Sequence, residues 1–162
     1  MTHHKFTIGH LFCGIGGNAI GAGAAEVRFR RHSATFETLG GIDNDELACQ
    51  DFETLAQAEA ICIDIGKLSR TALRRRWGGR APDFVMLSPP CKGYSGLLSS
   101  KRAEEPKYQA MNKLLIVSLR LLLTTWKKPP ALIFIENVPR IASRGKDVVQ
   151  LAHEMGNSAG MA

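Results

Sequence analysis

Five short runs of strand-forming residues, each closed by a polar or glycine-rich segment, constrain this chain more than any other feature. Phe6 to Phe12 runs into Gly14-Ile15-Gly16-Gly17, Thr35 to Ile42 into Asp43-Asn44-Asp45, and Ala60 to Ile63 into Asp64. Asp83 to Leu87 runs into Ser88-Pro89-Pro90, and Ala131 to Ile135 into Glu136-Asn137. Between and after them, helices are expected over Asn18 to Val27, Glu46 to Leu55, Leu68 to Trp77, Gln109 to Trp126 and Val148 to Met155. Alternation of this kind predicts the α/β class, a doubly wound and mostly parallel sheet with helices on both faces. The run Asp83 to Leu87 is apolar after its first residue, as expected of a strand covered on both sides.

With 162 residues, 44% of them hydrophobic, the chain is long enough to bury one core. A single domain is expected over residues 1–155, followed by a small-residue tail, 156–162. Lys and Arg number 21 against 15 Asp and Glu, a net charge of +6, which favours a polyanionic partner such as nucleic acid but equally suits a solvated basic surface. Cys13, Cys49, Cys62 and Cys91 form no CxxC pair, so neither a zinc site nor a disulfide framework is expected. Reduced thiols point to a cytoplasmic protein. The apolar run around Leu114 to Leu123 is broken by Ser118 and Arg120 and is too short to span a bilayer.

Gly14-Ile15-Gly16-Gly17-Asn18-Ala19 fits G-x-G-x-x-G/A between a strand and a helix, with the acidic Asp43 ending the next strand. Glycines let backbone approach a ligand, and a carboxylate at a strand tip accepts hydrogen bonds from ribose hydroxyls. The pattern does not separate NAD from S-adenosylmethionine, and a purely structural glycine turn meets it equally. Asp64 is placed either to meet an adenine amino group or to cap the following turn.

Ser88-Pro89-Pro90-Cys91 is more specific. Ligands of open α/β sheets bind outside the carboxyl ends of the strands, and a Pro-Pro pair holds the thiol rigidly at that mouth. A thiolate there can attack an electron-poor ring carbon. Glu136, at the end of the neighbouring strand, supplies an acid, and burial there would raise its carboxyl above the ordinary range. Arg74-Arg75-Arg76 reads as a solvated helix face.

Leu11-Phe12-Cys13-Gly14-Ile15-Gly16-Gly17, Asp43-Asn44-Asp45, Ser88-Pro89-Pro90-Cys91-Lys92-Gly93-Tyr94-Ser95 and Glu136-Asn137-Val138 occur in an order and spacing that resemble the cytosine-5 DNA methyltransferase family. The resemblance implies the Rossmann-like fold of S-adenosylmethionine-dependent methyltransferases and duplex DNA as substrate, as in restriction-modification systems. It implies that Cys91 adds to carbon 6 of a flipped-out cytosine while Glu136 hydrogen-bonds the ring. Phe12, Gly14, Ile15, Gly16, Gly17, Asp43, Asn44, Asp64, Ile65 and Pro90 are then expected to hold the cofactor. Ser88, Pro90, Ser95, Asn137 and Val138 are expected to meet the base. The loop from Gly93 to Arg102 resembles the family's mobile catalytic loop, with Gly93 and Gly96 expected as hinges and Lys101 and Arg102 available to phosphates.

Lys92 stands where the family usually has Gln, and His10 near a position that is often acidic. The family's Gln-x-Arg-x-Arg segment and target-recognition domain find no counterpart, so a fragment, a truncation or half of a split enzyme is expected, with a separate chain supplying the missing motifs and weak activity alone. The rival readings are an inactive binding module, an RNA cytosine methyltransferase and an NAD dehydrogenase.

Overall fold

The computed structural model describes residues 1–94, 100–103 and 105–160. The strands are β1 (Thr2–Leu11), β2 (Glu26–Phe29), β3 (His32–Asp43), β4 (Ala60–Cys62), β5 (Phe84–Leu87) and β6 (Leu132–Ile135). The helices are α1 (Gly17–Ala24), α2 (Glu46–Ala56), α3 (Arg70–Trp77), α4 (Ser100–Ala103), α5 (Pro106–Thr125), α6 (Ile141–Arg144) and α7 (Lys146–Ser158), with a 3₁₀ turn at Ile65–Lys67.

The sheet runs β2-β3-β1-β5-β6, with β4 also on β3. Every pairing is parallel except β2 with β3. The expected doubly wound architecture is therefore present, and β1, between β3 and β5, is where the winding changes direction. Helix starts are legible locally: Asp45 accepts from the Ala48 amide and Ser69 from the Ala72 amide, each capping its helix. Pro106 opens α5 at its first turn, three residues ahead of the expected start. Inside α5, the buried hydroxyls of Ser118 and Thr125 bond back to the carbonyls of Leu114 and Leu121. Among the described residues no helix is long and apolar enough to cross a membrane.

Three expectations change. The helix over Asn18 to Val27 stops at Ala24, and the basic stretch after it is a β-hairpin whose strand β2 is exposed throughout. Its charges hid the pairing because neither face of β2 is buried. Coverage of β5 is uneven among the described residues: Val85 and Leu87 are fully buried, whereas Phe84 and Met86 are half-buried, and Phe84 joins an aromatic row with Phe6, Phe36 and Phe134. The arginine run is not merely solvated, since Arg74 donates to the Thr125 carbonyl and Arg76 pairs with Glu59. In addition, α7 continues to Ser158, into the expected tail.

Adjacent residues of β1 meet opposite layers. His10 packs on Phe52 of α2, with ring centroids 5.9 Å apart, while Gly9 faces the Trp77 ring of α3. Trp77 in turn stacks on Trp126 at 6.5 Å, beside the core residues Leu73, Leu119 and Leu122. A Cβ on Gly9 would lie 2.7 Å from Trp77 ring atoms, and one on Gly40 2.7 Å from the Glu59 carbonyl oxygen. Glycine at position 9 makes room for an indole, and glycine at position 40 for a backbone carbonyl. Gly9→Ala is accordingly expected to cost about 1–3 kcal/mol through overpacking, read as a lower urea midpoint at unchanged slope.

Asp83 fastens the amino end of β5 to β1. Its carboxylate accepts from the Thr7 amide and hydroxyl, both at 2.8 Å, and its own amide donates to Thr7 Oγ1 at 3.0 Å. Partial burial would raise the Asp83 carboxyl, but the Thr7 hydrogen bonds outweigh it and hold it below the usual carboxylate range.

Candidate active site

Four strands end level with one another. Leu11 of β1 is paired with Ile42 of β3 on one side and Leu87 of β5 on the other, and Leu87 is paired with Ile135 of β6. The next residue on each strand is Phe12, Asp43, Ser88 or Glu136, so residues far apart in sequence share one carboxyl-end mouth. Neighbouring strands lie about 4.8 Å apart, which places Ser88 and Glu136 side by side. Backbone bonds fix that level: Cys13 donates to the Ile42 carbonyl, Ser88 to Leu11 and Glu136 to Leu87.

On the β1–β3–β4 side, Phe12, Gly14 and Gly16 all adopt positive φ, 56°, 50° and 95°. For Phe12 that is a conformation phenylalanine rarely tolerates, held at a turn that faces a cavity. Gly16 needs both its φ and its lack of a side chain, because a Cβ would lie 3.1 Å from the Phe52 ring. Asp43 organises the turn: its Oδ2 accepts from the Gly14 amide at 2.9 Å, and its Oδ1 from the amides of Asn44 and Asp45. Asp64 Oδ1 accepts from Gly66, so the capping role is present, with Oδ2 outside that bond.

Phe12, Asp43, Asn44, Asp64, Ile65 and Pro90 surround a cavity of about 130 Å³. These are six of the ten residues that the family resemblance assigned to the cofactor. Gly14, Ile15, Gly16 and Gly17 do not line it, and the Ile15 side chain is exposed. Sequence reasoning missed Ile42, Ile63, Met111 and Leu114, which complete the walls. Met111 and Leu114 sit on α5 at helical spacing and read as ordinary core. Complete small-molecule sites measure roughly 300–1,000 Å³, so this cavity suits one part of a nucleoside, such as a flat base between apolar walls.

On the β5–β6 side, Cys91 is half-buried at the end of the Ser88-Pro89-Pro90 turn. The turn is tied on both flanks. Asn18 of α1 donates to Ser88 Oγ at 3.2 Å, and Asn137 donates to the Pro89 carbonyl at 3.3 Å while accepting from the Val138 amide. Beyond Cys91, the Tyr94 amide donates back to its carbonyl at 3.0 Å. Gly93 packs closely on Asn112 of α5, leaving no room for a Cβ. Gly96 and Ser95 lie outside the described residues, and Arg102 pairs with Glu105 at 3.7 Å.

Glu136 is exposed, so the burial expected for it is not provided by the described residues. It closes a four-residue strand whose side chains are themselves largely uncovered. Cys13 is unsuited to nucleophilic attack: burial, reinforced by Asp43 and Cys49, pushes its thiol up to about 12. A larger apolar cavity of about 500 Å³ lies between α5, β6 and α7, lined by residues such as Leu119, Leu132, Val149 and Ala152. Of the assigned groups only Asn137 and Val138 reach it, and neither Cys91 nor Glu136 does. Among the described residues no group of three or more His, Cys, Asp or Glu is arranged to hold a metal.

His10, two residues before Phe12, is 2% exposed, and burial lowers its pKa to about 4 from an ordinary 6.5. The folded protein therefore holds it neutral. The resulting stability is complete above about pH 6.5 and is lost as pH falls through about 4, on the order of 3 kcal/mol in all. Denaturation midpoints of His10→Leu are expected to vary less with pH across that window than those of the natural chain.

The profile of the C-5 cytosine-specific DNA methylase family matches residues 6–158. No curated protein sequence matches the chain. Among solved structures, the Entamoeba histolytica methyltransferase EhMeth superposes with a TM-score of 0.68 at 22% identity, over 93% of this chain and 43% of that one. An Escherichia coli protein described as a prophage-encoded DNA modification methyltransferase gives 0.70 at 19% identity, over 94% and 38%. The Dnmt2 methyltransferase of S. pombe gives 0.60 at 18%, over 96% and 39%. At these identities the superpositions establish the fold, and the chain spans about two fifths of the length of each of these proteins.

Proposed function

The chain belongs to the C-5 cytosine-specific DNA methylase family, and from that membership we propose that it carries the cofactor-binding and nucleophilic half of a DNA cytosine-5 methyltransferase that uses S-adenosylmethionine. The observation that carries this reading is the common level of the strand ends, which puts the Cys91 turn beside Glu136 and, across β1, beside the base-sized cavity.

The cavity suits the base of an adenosine: Phe12, Ile65 and Pro90 offer apolar walls, and Asp43 and Asp64 offer carboxylates for hydroxyl and amino donors. When bound, S-adenosylmethionine supplies an electrophilic methyl group. The protein's own part begins with a cytosine flipped out of the duplex, at an unstacking cost of a few kcal/mol. Cys91 adds to ring carbon 6, forming a C–S bond and pushing electron density toward carbon 5. Glu136 hydrogen-bonds the ring nitrogen and exocyclic amine, stabilising that charge. After methylation, loss of the carbon 5 proton expels Cys91 and restores the ring. Asn18 and Asn137 hold the Ser88–Cys91 turn from both sides, and Ser88, Pro90, Ser95 and Val138 are assigned to the base. Target choice and clamping are assigned to a segment outside these residues, in the same polypeptide or a partner chain.

Binding separates this reading from its dehydrogenase rival. S-adenosylmethionine is expected to bind at least about tenfold tighter than NAD, and Asp43→Ala is expected to weaken it about tenfold or more, since one charged hydrogen-bonding group contributes about 1.5–3 kcal/mol. Titration calorimetry reads both. Preference for NAD overturns the proposal.

A further inference from the structure

Cys49 and Cys62 have no part in the site described above, yet they meet directly behind it. Cys49, on α2, is buried, and Cys62, the last residue of β4, is exposed. The two side chains are close neighbours, and Cys62 acts directly on the Cys49 thiol. Cys49 Sγ also lies 3.8 Å from the Asp43 carbonyl oxygen, which accepts from the Ile63 amide at 2.7 Å. Asp43 and Cys62 are themselves paired across β3 and β4. A helix, a strand end and the acid-bearing turn thus converge on one carbonyl, with one thiol facing solvent and its neighbour behind it.

We propose that Cys49 and Cys62 form a dithiol exchange site that takes low-molecular-weight disulfides of the glutathione type and closes to an internal disulfide between α2 and β4. In the first step the Cys62 thiolate attacks one sulfur of the small disulfide. That S–S bond breaks, a mixed disulfide forms at Cys62, and the first small thiol leaves with the proton that Cys62 gave up. In the second step the Cys49 thiolate attacks the Cys62 sulfur, and the other small thiol leaves with the Cys49 proton. Two protein thiols lose two electrons and one small disulfide gains them, so no further oxidant is required.

The division of labour follows exposure. Cys62 is reachable by a solute, whereas Cys49 is placed to resolve the adduct rather than to start it. Burial, reinforced by the adjacent Cys62, pushes the Cys49 thiol up to about 11. Closure therefore speeds up about tenfold per pH unit below that value, as the thiolate fraction rises. Cys13, held up to about 12 and half-buried, is the slower competitor. The new bond would link segments that contribute Asp43, Asn44, Ile63 and Asp64 to the cavity wall. The chemistry itself does not depend on methyl transfer, so it can fail or succeed independently of the function proposed above.

The test is incubation of the full chain with glutathione disulfide at about pH 8 and pH 9, followed by acid quenching and peptide mapping by mass spectrometry, a pH pair chosen for the expected tenfold rate ratio. The expected product is a linked pair of Cys49 and Cys62 peptides, formed about tenfold faster at the higher pH. Cys62→Ser should give no such link, and Cys49→Ala should retain a glutathionyl group on Cys62. A glutathionyl group that persists on Cys62 in the unsubstituted chain, or a link through Cys13 instead, overturns the proposal.

Discussion

Cys91→Ser is expected to lower methyl transfer by at least about 10³-fold while leaving S-adenosylmethionine affinity within about twofold. The serine hydroxyl occupies the same place at the end of the Pro89-Pro90 turn, so geometry is preserved. What is lost is nucleophilicity: a thiol reaches its thiolate within a few pH units of neutrality and a hydroxyl does not. Cys91 is half-buried at the mouth, whereas Cys13, the other cysteine beside the glycine loop, is held protonated with a pKa of about 12. Labelled methyl transfer to duplex DNA, with the C-terminal part of a family member added in trans, gives the rate, and calorimetry gives the affinity. Equal loss of cofactor affinity would mean that the variant had damaged the fold instead.

Glu136→Gln is expected to reduce the rate by about 10²–10⁴-fold, the range for removing a positioned general acid or base. The amide keeps the size and one donor of the acid form but cannot share a proton with the ring nitrogen. The loss should fall on kcat rather than on DNA affinity, because the interaction strengthens as charge builds on the ring. Glu136 is exposed in this chain, so its desolvation has to come from the flipped base or from a segment packed over β6. Addition of the C-terminal part should accordingly raise the wild-type rate far more than that of Glu136→Gln.

The polar groups of the candidate site were legible because they stand at the ends of strands or just beyond them. Ser88, Asp43 and Glu136 stand where an apolar run breaks, and parallel topology alone is enough to collect such breaks at one mouth. The glycine loop was legible for the same reason, and the positive φ of Gly14 and Gly16 accounts for its composition. The remaining cavity wall was not. Ile42, Ile63, Met111 and Leu114 are apolar residues whose role comes only from the packing of α5 against the 3₁₀ turn after β4, a long-range fact that local pattern does not carry. The β2–β3 hairpin escaped because an exposed strand shows no alternation, and the Gly9–Trp77 contact because a strand glycine looks like a defect until its partner is known. Burial of Glu136 was inferred from its place in the mouth, but β6 has a partner on one side only among the described residues.

The most direct measurement is trapping with a duplex oligonucleotide carrying 5-fluorocytosine in the presence of S-adenosylmethionine and the C-terminal part. Fluorine at carbon 5 replaces the proton that must leave, so an adduct once formed cannot resolve. The expected result is a denaturant-stable complex whose peptide map places the oligonucleotide on Cys91 and which Cys91→Ser does not form. An adduct of the same yield in Cys91→Ser, or one mapped to Cys62 or Cys13, would contradict the assignment of Cys91 as the nucleophile.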